Sequence, residues 1–467
     1  MSELYTRRAS LSLIKEATNN VPLTPTTFVP FEDESLSTKY DYSAVQAVAG
    51  VRSLNRRAVL DKITPGEGVI NLKIEPKTFG HFLQGLGVLT TGRSMAISSA
   101  SGAFTIGETI TGGTSLKTAV VAADVNSEHL ILTSPSGAFT VGETVTGGTS
   151  AKTAVVVSYD SSVYGHVATL PVELTTTYTL QVNYAENAIR FTGVRFMALD
   201  ALAQKDNVIT AGLKVMAQGV LRHAKVTAIT ASGAGAKTIT IDQSFGLVAA
   251  DTVKLYRPGT GFLDFSAASV KTHTVGTVPT STTFTITNLE TSTAVGDLIV
   301  LAPQTATYSI DKEFPWVGGS EVFSGTAIGS TSSIAAEDFT IQIAHEFEAR
   351  YGAQGSAFAD RMPSAILQKG LTGSGSIKLY YQNENFLRFL RTNVANAIKF
   401  VAEGQAIGAT TILYTLKAYL PEVQFDNFDT NVDVDKLVDL DMPFKTFYNA
   451  TSGYEMKLLL VNNITSY

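Results

Sequence analysis

The chain has 467 residues, 44% of them hydrophobic and 16% charged, with 35 basic against 41 acidic side chains, a formal net charge of −6 and no cysteine. The length suits about three domains, the low charge content suits surfaces covered by protein neighbours, and the acidic balance gives no general attraction for nucleic acid. The lack of cysteine excludes disulfides and thiolate metal sites, no run of eighteen apolar residues predicts a membrane span, and the opening MSELYTRRASLSLIKEATNN lacks the apolar core of a secretion signal. Abundant Thr, Ser, Gly and Val, with few long amphipathic helical patterns, predict a mainly β chain.

In chain order, the first informative segment is AVLDKITPGEGVINLKIEPKTFGHFLQ from Ala58, which reads as a strand, a G-x-G turn, a second strand and a helix carrying Phe79, Phe82 and Leu83 on one face. It aligns without a gap on AILQKGLTGSGSIKLYYQNENFLRFLR from Ala365, keeping the glycines (Gly66/Gly373 and Gly68/Gly375) and the apolar helix positions. The similarity resumes where YTLQVNYAENAIRFTGVRF from Tyr178 resembles YTLKAYLPEVQF from Tyr414, with Val194-Arg195-Phe196 facing Val423-Gln424-Phe425. The chain therefore reads as a duplicated domain, the first copy at 1–93 plus 162–222 and the second at 306–467.

Two further repeats lie outside that pattern. SGAFTIGETITGGTSLKTAVV from Ser101 and SGAFTVGETVTGGTSAKTAVV from Ser136 differ only at Ile106/Val141, Ile110/Val145 and Leu116/Ala151. Their G-x-x-x-x-G spacing imitates a phosphate loop, but Gly113 and Gly148 stand where the lysine is needed and a β-branched run follows in place of a helix. The reading is a small β module, duplicated in tandem over 94–161, outside the core and dispensable for it. TITIDQSFGLVAADTVKLYRP from Thr238 aligns less closely on TFTITNLETSTAVGDLIVLAP from Thr283, predicting a second small β module over 223–305.

No catalytic constellation emerges, and the chain is not read as an enzyme. The six histidines (His81, His129, His166, His223, His273 and His345) show no metal-ligand spacing and read as solvated or internally satisfied. No cofactor or metal is expected. In FDNFDTNVDVDKLVDLDMPF from Phe425, however, Asp433, Asp435, Asp439 and Asp441 alternate with apolar residues, the pattern of a strand with one carboxylate face. The corresponding stretch of the first copy, Gln204 to Gly212, offers only Asp206. No calcium-loop glycine or twelfth-position glutamate accompanies these acids, so the face is either an ordinary solvated sheet surface or the wall of something.

The opening run YTRRASLSLIKEATNNVPLTPTTFVPFEDESLS, with its first strand, Lys-Glu-x-Thr turn and Glu-Asp-Glu-Ser end, together with the duplicated strand and helix order, resembles the tail tube proteins of long-tailed bacteriophages. The tandem copies are similar to the subgroup in which two tube domains are fused. That resemblance implies two tandem β-sandwich or barrel domains, each with a flanking helix, plus small all-β insertions. It also implies homotrimeric, pseudo-hexameric rings stacked into the tail of a virion assembled in the host cytoplasm. Partners would be further copies of the chain, a tape measure protein and tail-tip or terminator proteins, with DNA passing through unbound during genome ejection. The five aspartates would then be candidates for the channel lining. A tail fibre or receptor-binding protein and a capsid-decoration protein are the alternatives.

Overall fold

The computed structural model describes residues 9–44, 58–171, 173–204, 207–232, 236–242, 246–257, 261–262, 272–287, 294–309, 311–316, 321–325, 332–334, 336–352, 361–380, 396–426, 430–431 and 439–467. These residues are mainly β, with one α-helix.

The chain begins with β1 (Ser10–Lys15), β2 (Thr27–Val29), β3 (Asp33–Glu34), β4 (Ser37–Ala44), β5 (Ala58–Lys73) and α1 (Phe79–Leu86). Next come β6 (Val88–Ser98), β7 (Thr109–Gly112), β8 (Thr118–Val125), β9 (His129–Thr133), β10 (Thr144–Gly147) and β11 (Thr153–Leu170). After these lie β12 (Tyr178–Asn183), β13 (Ala188–Gln204), β14 (Thr210–Ala217) and β15 (Gly219–Leu221). A third group is β16 (Ala224–Ser232), β17 (Ala236–Ile241), β18 (Thr252–Arg257), β19 (Gly261–Phe262), β20 (His273–Thr274), β21 (Thr283–Thr287) and β22 (Leu298–Leu301). The last is β23 (Glu321–Gly325), β24 (Ser332–Ile334), β25 (Ala336–Arg350), β26 (Ala365–Tyr380), β27 (Asn396–Ala406), β28 (Leu413–Phe425), β29 (Thr430–Asn431), β30 (Asp439–Thr446) and β31 (Met456–Asn462).

The expected strand, turn, strand over Ala58 is instead one unbroken sixteen-residue strand, and so is its counterpart from Ala365. The glycines serve close approach: a Cβ on Gly66 would meet the Phe191 ring at 2.5 Å, one on Gly68 the Ser35 carbonyl at 2.6 Å, and one on Gly375 the Thr340 carbonyl at 2.2 Å. Gly in a strand marks such an approach as readily as a turn. The helix expected after Ala58 is present as α1, with Phe79, Phe82, Leu83 and Leu86 buried. The equivalent after β26 lies outside the described residues.

Registers extend the parallel between the two sets. β14 pairs with β5 through Thr210↔Lys73 to Ala217↔Gly66, and β30 pairs with β26 through Asp439↔Tyr380 to Lys445↔Ser374. β1 lies on β12 as β23 lies on β27, and β2 lies on β1 as β24 lies on β23. Because β12 pairs with β13 as β27 pairs with β28, the segment at Tyr178 matches β27 in position, not the strand that holds Tyr414. The Tyr-Thr-Leu identity was a coincidence of β-rich composition, whereas the Val194 and Val423 correspondence agrees with the strand positions. It follows that β6 and β11, which flank the tandem repeat, have no counterpart among the described residues of the second set. Both strands run unbroken across residues 93 to 94 and 161 to 162.

Among the described residues three apolar cores result. The largest draws on both sets, from Leu11, Phe82, Tyr178 and Phe196 to Phe339, Phe400, Tyr419 and Leu460. The second fills the β16–β22 region around Val226, Ile239, Phe284 and Ile299. The third fills the tandem repeat around Met95, Phe104, Val121, Phe139 and Val156.

Candidate functional site

A single broad sheet crosses both sets in the order β4, β5, β14, β13, β25, β26, β30, β29, every neighbouring pair antiparallel. One face packs on the main core: Ile70, Leu72, Leu213, Leu199, Ala203, Phe339, Ile343, Ile377, Leu440 and Met442 are all buried. Strand alternation then forces the intervening residues onto an open face. Asp200, Gln342, Asp441 and Lys445 are exposed there, and a shallow groove of about 440 Å³ runs across it, lined by Asp200, Gln342, Ser374, Asp426 and Lys445.

The structure places two of the five candidate aspartates on this sheet. Asp441 is exposed on β30 between the buried Leu440 and Met442, as the alternation predicts, and Asp439 begins the same strand. Asp433, Asp435 and Asp206 lie outside the described residues. Thr210 and Gly212, uncharged, hold on β14 the places of Asp439 and Asp441. The open face is nevertheless not uniformly acidic. Asp441 stands opposite Lys378, and paired charges recur: Lys39 with Glu67 at 3.2 Å, Lys214 with Glu67 at 3.9 Å and Lys445 with Asp426 at 3.0 Å. Lys445 continues the alternation of Asp439 and Asp441 along β30 itself, whereas Lys39, Lys214 and Lys378 come from other strands, so the aspartate run read alone could not reveal them.

The glycine-rich repeats hold an anion, but the anion is their own. Glu143 accepts hydrogen bonds from the backbone N–H groups of Thr114 and Ser115 at 2.9 and 2.8 Å, and from Ser115 Oγ at 2.7 Å. Glu108 does the same for Thr149, Ser150 and Ser150 Oγ at 2.9, 2.8 and 2.7 Å. Burial pushes both carboxyls up, yet these donations outweigh it and hold them below the usual carboxylate range. Each repeat thus fills the backbone cradle of the other, which excludes phosphate from it.

Several structural residues were not singled out by their sequence pattern. Arg190 on β13 makes a bidentate ion pair with Asp251, 2.7 Å for each bond, with both side chains 1% exposed. Glu128, in the turn between β8 and β9, meets Lys399 at 3.0 Å, Lys417 at 3.5 Å and the Tyr419 hydroxyl at 3.1 Å. Glu16, from the Lys-Glu-x-Thr turn, accepts from Asn20 N, Gly193 N, Thr177 Oγ1 and Thr179 Oγ1. Little in the local sequence distinguishes these residues from solvated charge, because apart from Asn20, four residues from Glu16, the partners named here are brought together only by the fold.

Of the histidines, His166 bonds Thr91 and Asn462 at 3.0 Å each, and His345 bonds the Leu86 carbonyl and Gln368 at 3.0 Å each. Burial lowers His166 and His81 to about 4. Among the described residues no group of side chains is arranged to hold a metal ion, and no helix is long and apolar enough to cross a membrane. No protein-family model matches the chain, and no curated protein matches it.

Proposed function

We propose that the chain is a structural subunit of a phage tail tube, in which two fused tube domains per chain build a ring of three chains, and stacked rings form the conduit for DNA. The domains are 1–93 with 162–222 and 306–467; the tandem repeat over 94–161 and the module over 223–305 are additions to them. The observation that supports this most is the junction between β13 and β25. There the last strand of the first four-strand group pairs with the first strand of the second, from Ala198↔Ala344 to Gln204↔Asp338. Such a head-to-tail junction is heterologous and can repeat from chain to chain until a ring closes.

The two ends of the broad sheet suit that repetition. Among the described residues β3 and β4 pair only with β5, and β29 pairs only with β30. β29 meets β30 through Thr430↔Leu440 and Asn431↔Asp439, the register in which Ala201 and Leu202 meet β14 through Ala211 and Thr210. Open edges of this kind invite pairing with another chain, and closure hides them. Within the first group the strands align Asp33, Asn71, Gly212 and Asp200; across the junction Asp200 meets Gln342, four residues beyond Asp338, the counterpart of Asp33. Six such groups make a barrel of about 24 strands and shear about 24, with the strand tilt of about 36° of an eight-stranded barrel of shear 8 and a backbone diameter of about 45 Å.

The open face then becomes the channel wall, and its interleaved charges and uncharged polar groups offer DNA no positive field on which to settle. A tape measure protein and tail-tip or terminator proteins are the further partners the reading implies. Leu202 lies opposite Thr340, so Asn431 of one chain should lie opposite Ser35 of the next. Ser35→Cys with Asn431→Cys, in a chain without native thiols, should oxidise to covalent dimers and closed trimers on a non-reducing gel. Only monomers, or a ladder running past three without a closed species, would contradict the ring.

A further inference from the structure

The β6–β11 hairpin reaches out of the first set and joins the second. The end of β11 pairs with β31 over seven residues, from Tyr164↔Asn462 to Leu170↔Met456, while the other edge of β31 is taken by β28. A strand from the first half of the chain thereby extends a sheet of the second. His166 of β11 is tied to Asn462 of β31 along this seam.

The β8–β9 hairpin, whose β9 pairs with β6, makes a second attachment. Asn126 and Ser127 turn the chain with φ of 53° and 57°, a conformation non-glycine residues adopt at a cost, and so deliver Glu128 onto β27 and β28. Lys399 and Lys417 hold it there with side chains only 15% and 13% exposed, and Tyr419 donates to it. Beside it, Tyr454 donates to Asn126 at 2.6 Å and Lys457 to the Asp124 carbonyl at 3.4 Å. Val125 and Ile131 meanwhile belong to the main core, not to that of the tandem repeat.

We propose that the β6–β11 pair and the β8–β9 hairpin packed on it form an intrachain clasp that fixes the angle between the two halves before any chain meets another, with Glu128 as its latch. The strained turn is held by what it delivers. Residues 381–395, which separate β26 from β27, are too few for a second hairpin of this size, so the clasp can act only within a chain. Junctions inside a chain and junctions between chains would then differ: the first are clasped, the second rest on sheet edges. The clasp stands on contacts within the chain; its part in assembly rests on the ring reading.

Hydrogen exchange of the full-length protein separates the two. Glu128→Lys should speed exchange at 164–170 and 456–462 by about tenfold or more, while 109–112 and 144–147 in the tandem repeat stay protected. Reversing the partner with Lys417→Glu should recover protection at the seam. Should Glu128→Lys fail to fold, Tyr454→Phe, which removes one hydroxyl, should loosen the same two segments to a smaller degree. Unchanged exchange at the seam, or loosening spread evenly over the chain, overturns the clasp. Ring yield by electron microscopy reads its role: a loosened variant that assembles as fully as the wild type overturns the angle-setting part. If the wild type itself forms no rings, the ring reading fails while exchange still decides the clasp.

Discussion

At the level of single residues, one turn recurs four times among the described residues with the same backbone and carboxylate bonds. Thr105 to Glu108, Thr140 to Glu143, Val248 to Asp251 and Ala294 to Asp297 each end in an acid whose N–H donates to the first residue's carbonyl and whose carboxylate accepts that residue's N–H. The third position has φ of 87°, 86°, 70° and 101°, and it is glycine in all but Ala250. An L side chain in that region costs about 1 kcal/mol, so Ala250→Gly should raise the unfolding free energy by up to about that amount in a urea titration. His166 bears on acid stability. Its folded value of about 4 lies below the free value of 6.5, so the stability it supports is complete above about pH 6.5 and declines as pH falls toward 4, by about 3 kcal/mol in all. Replacing it as His166→Gln should flatten the loss of thermal stability between pH 6.5 and 4.5; an unchanged profile would assign the acid response to other groups.

Among elements, the tandem repeats are halves of one object. β7 pairs with β10, each repeat's glutamate caps the other's turn, and Ser101 and Ser136 bond Thr153 and Thr118 in a matching exchange. A single copy would leave its buried carboxylate with only the in-repeat donor and two backbone donors without an acceptor, which is a physical reason for the near-identity of the two segments. Glu108→Ala and Glu143→Ala should therefore lower stability by similar amounts, on the order of 2 kcal/mol, and circular dichroism melts of the two variants would test the symmetry. The ion pair of Arg190 and Asp251 ties the third group of strands to β13 in the same cross-element manner. Breaking it as Asp251→Asn should cost about 3–5 kcal/mol, because the arginine stays buried without its counter-charge.

For the whole molecule, the β8–β9 hairpin changes what deletion of the tandem repeat should do. Removing residues 96–160 takes away Val125, Ile131 and Glu128, opens the main core and removes the Glu128 counter-charge from Lys399 and Lys417. The expected result is a marked loss of thermal stability, whereas removal of 99–122 with 134–154 spares that turn, although it cuts through the module's own core. A truncation of 96–160 that melts at the wild-type temperature would return the module to the status of ornament. The small cavity of about 30 Å³ beneath the sheet, lined by Leu199, Ile341, Phe400 and Leu416 from both halves, lies within the same shared core.

The sequence alone determined the β class, the correspondence of the segments at Ala58 and Ala365, the tandem module and the alternation that exposes Asp441, because each depends on local period or direct identity. It misread Gly66 and Gly68 as a turn, since a glycine that admits a neighbouring ring and one that reverses the chain are the same letter. Only the tertiary structure decided that Tyr178 and Tyr414 are not counterparts, that the anion of the glycine-rich turns is Glu143 or Glu108, that lysines intersperse the open face, and that β11 crosses to β31. Each of these rests on which strands become neighbours across tens to hundreds of residues, and strand pairing is set by the closing of a shared core rather than by the pattern of any one segment.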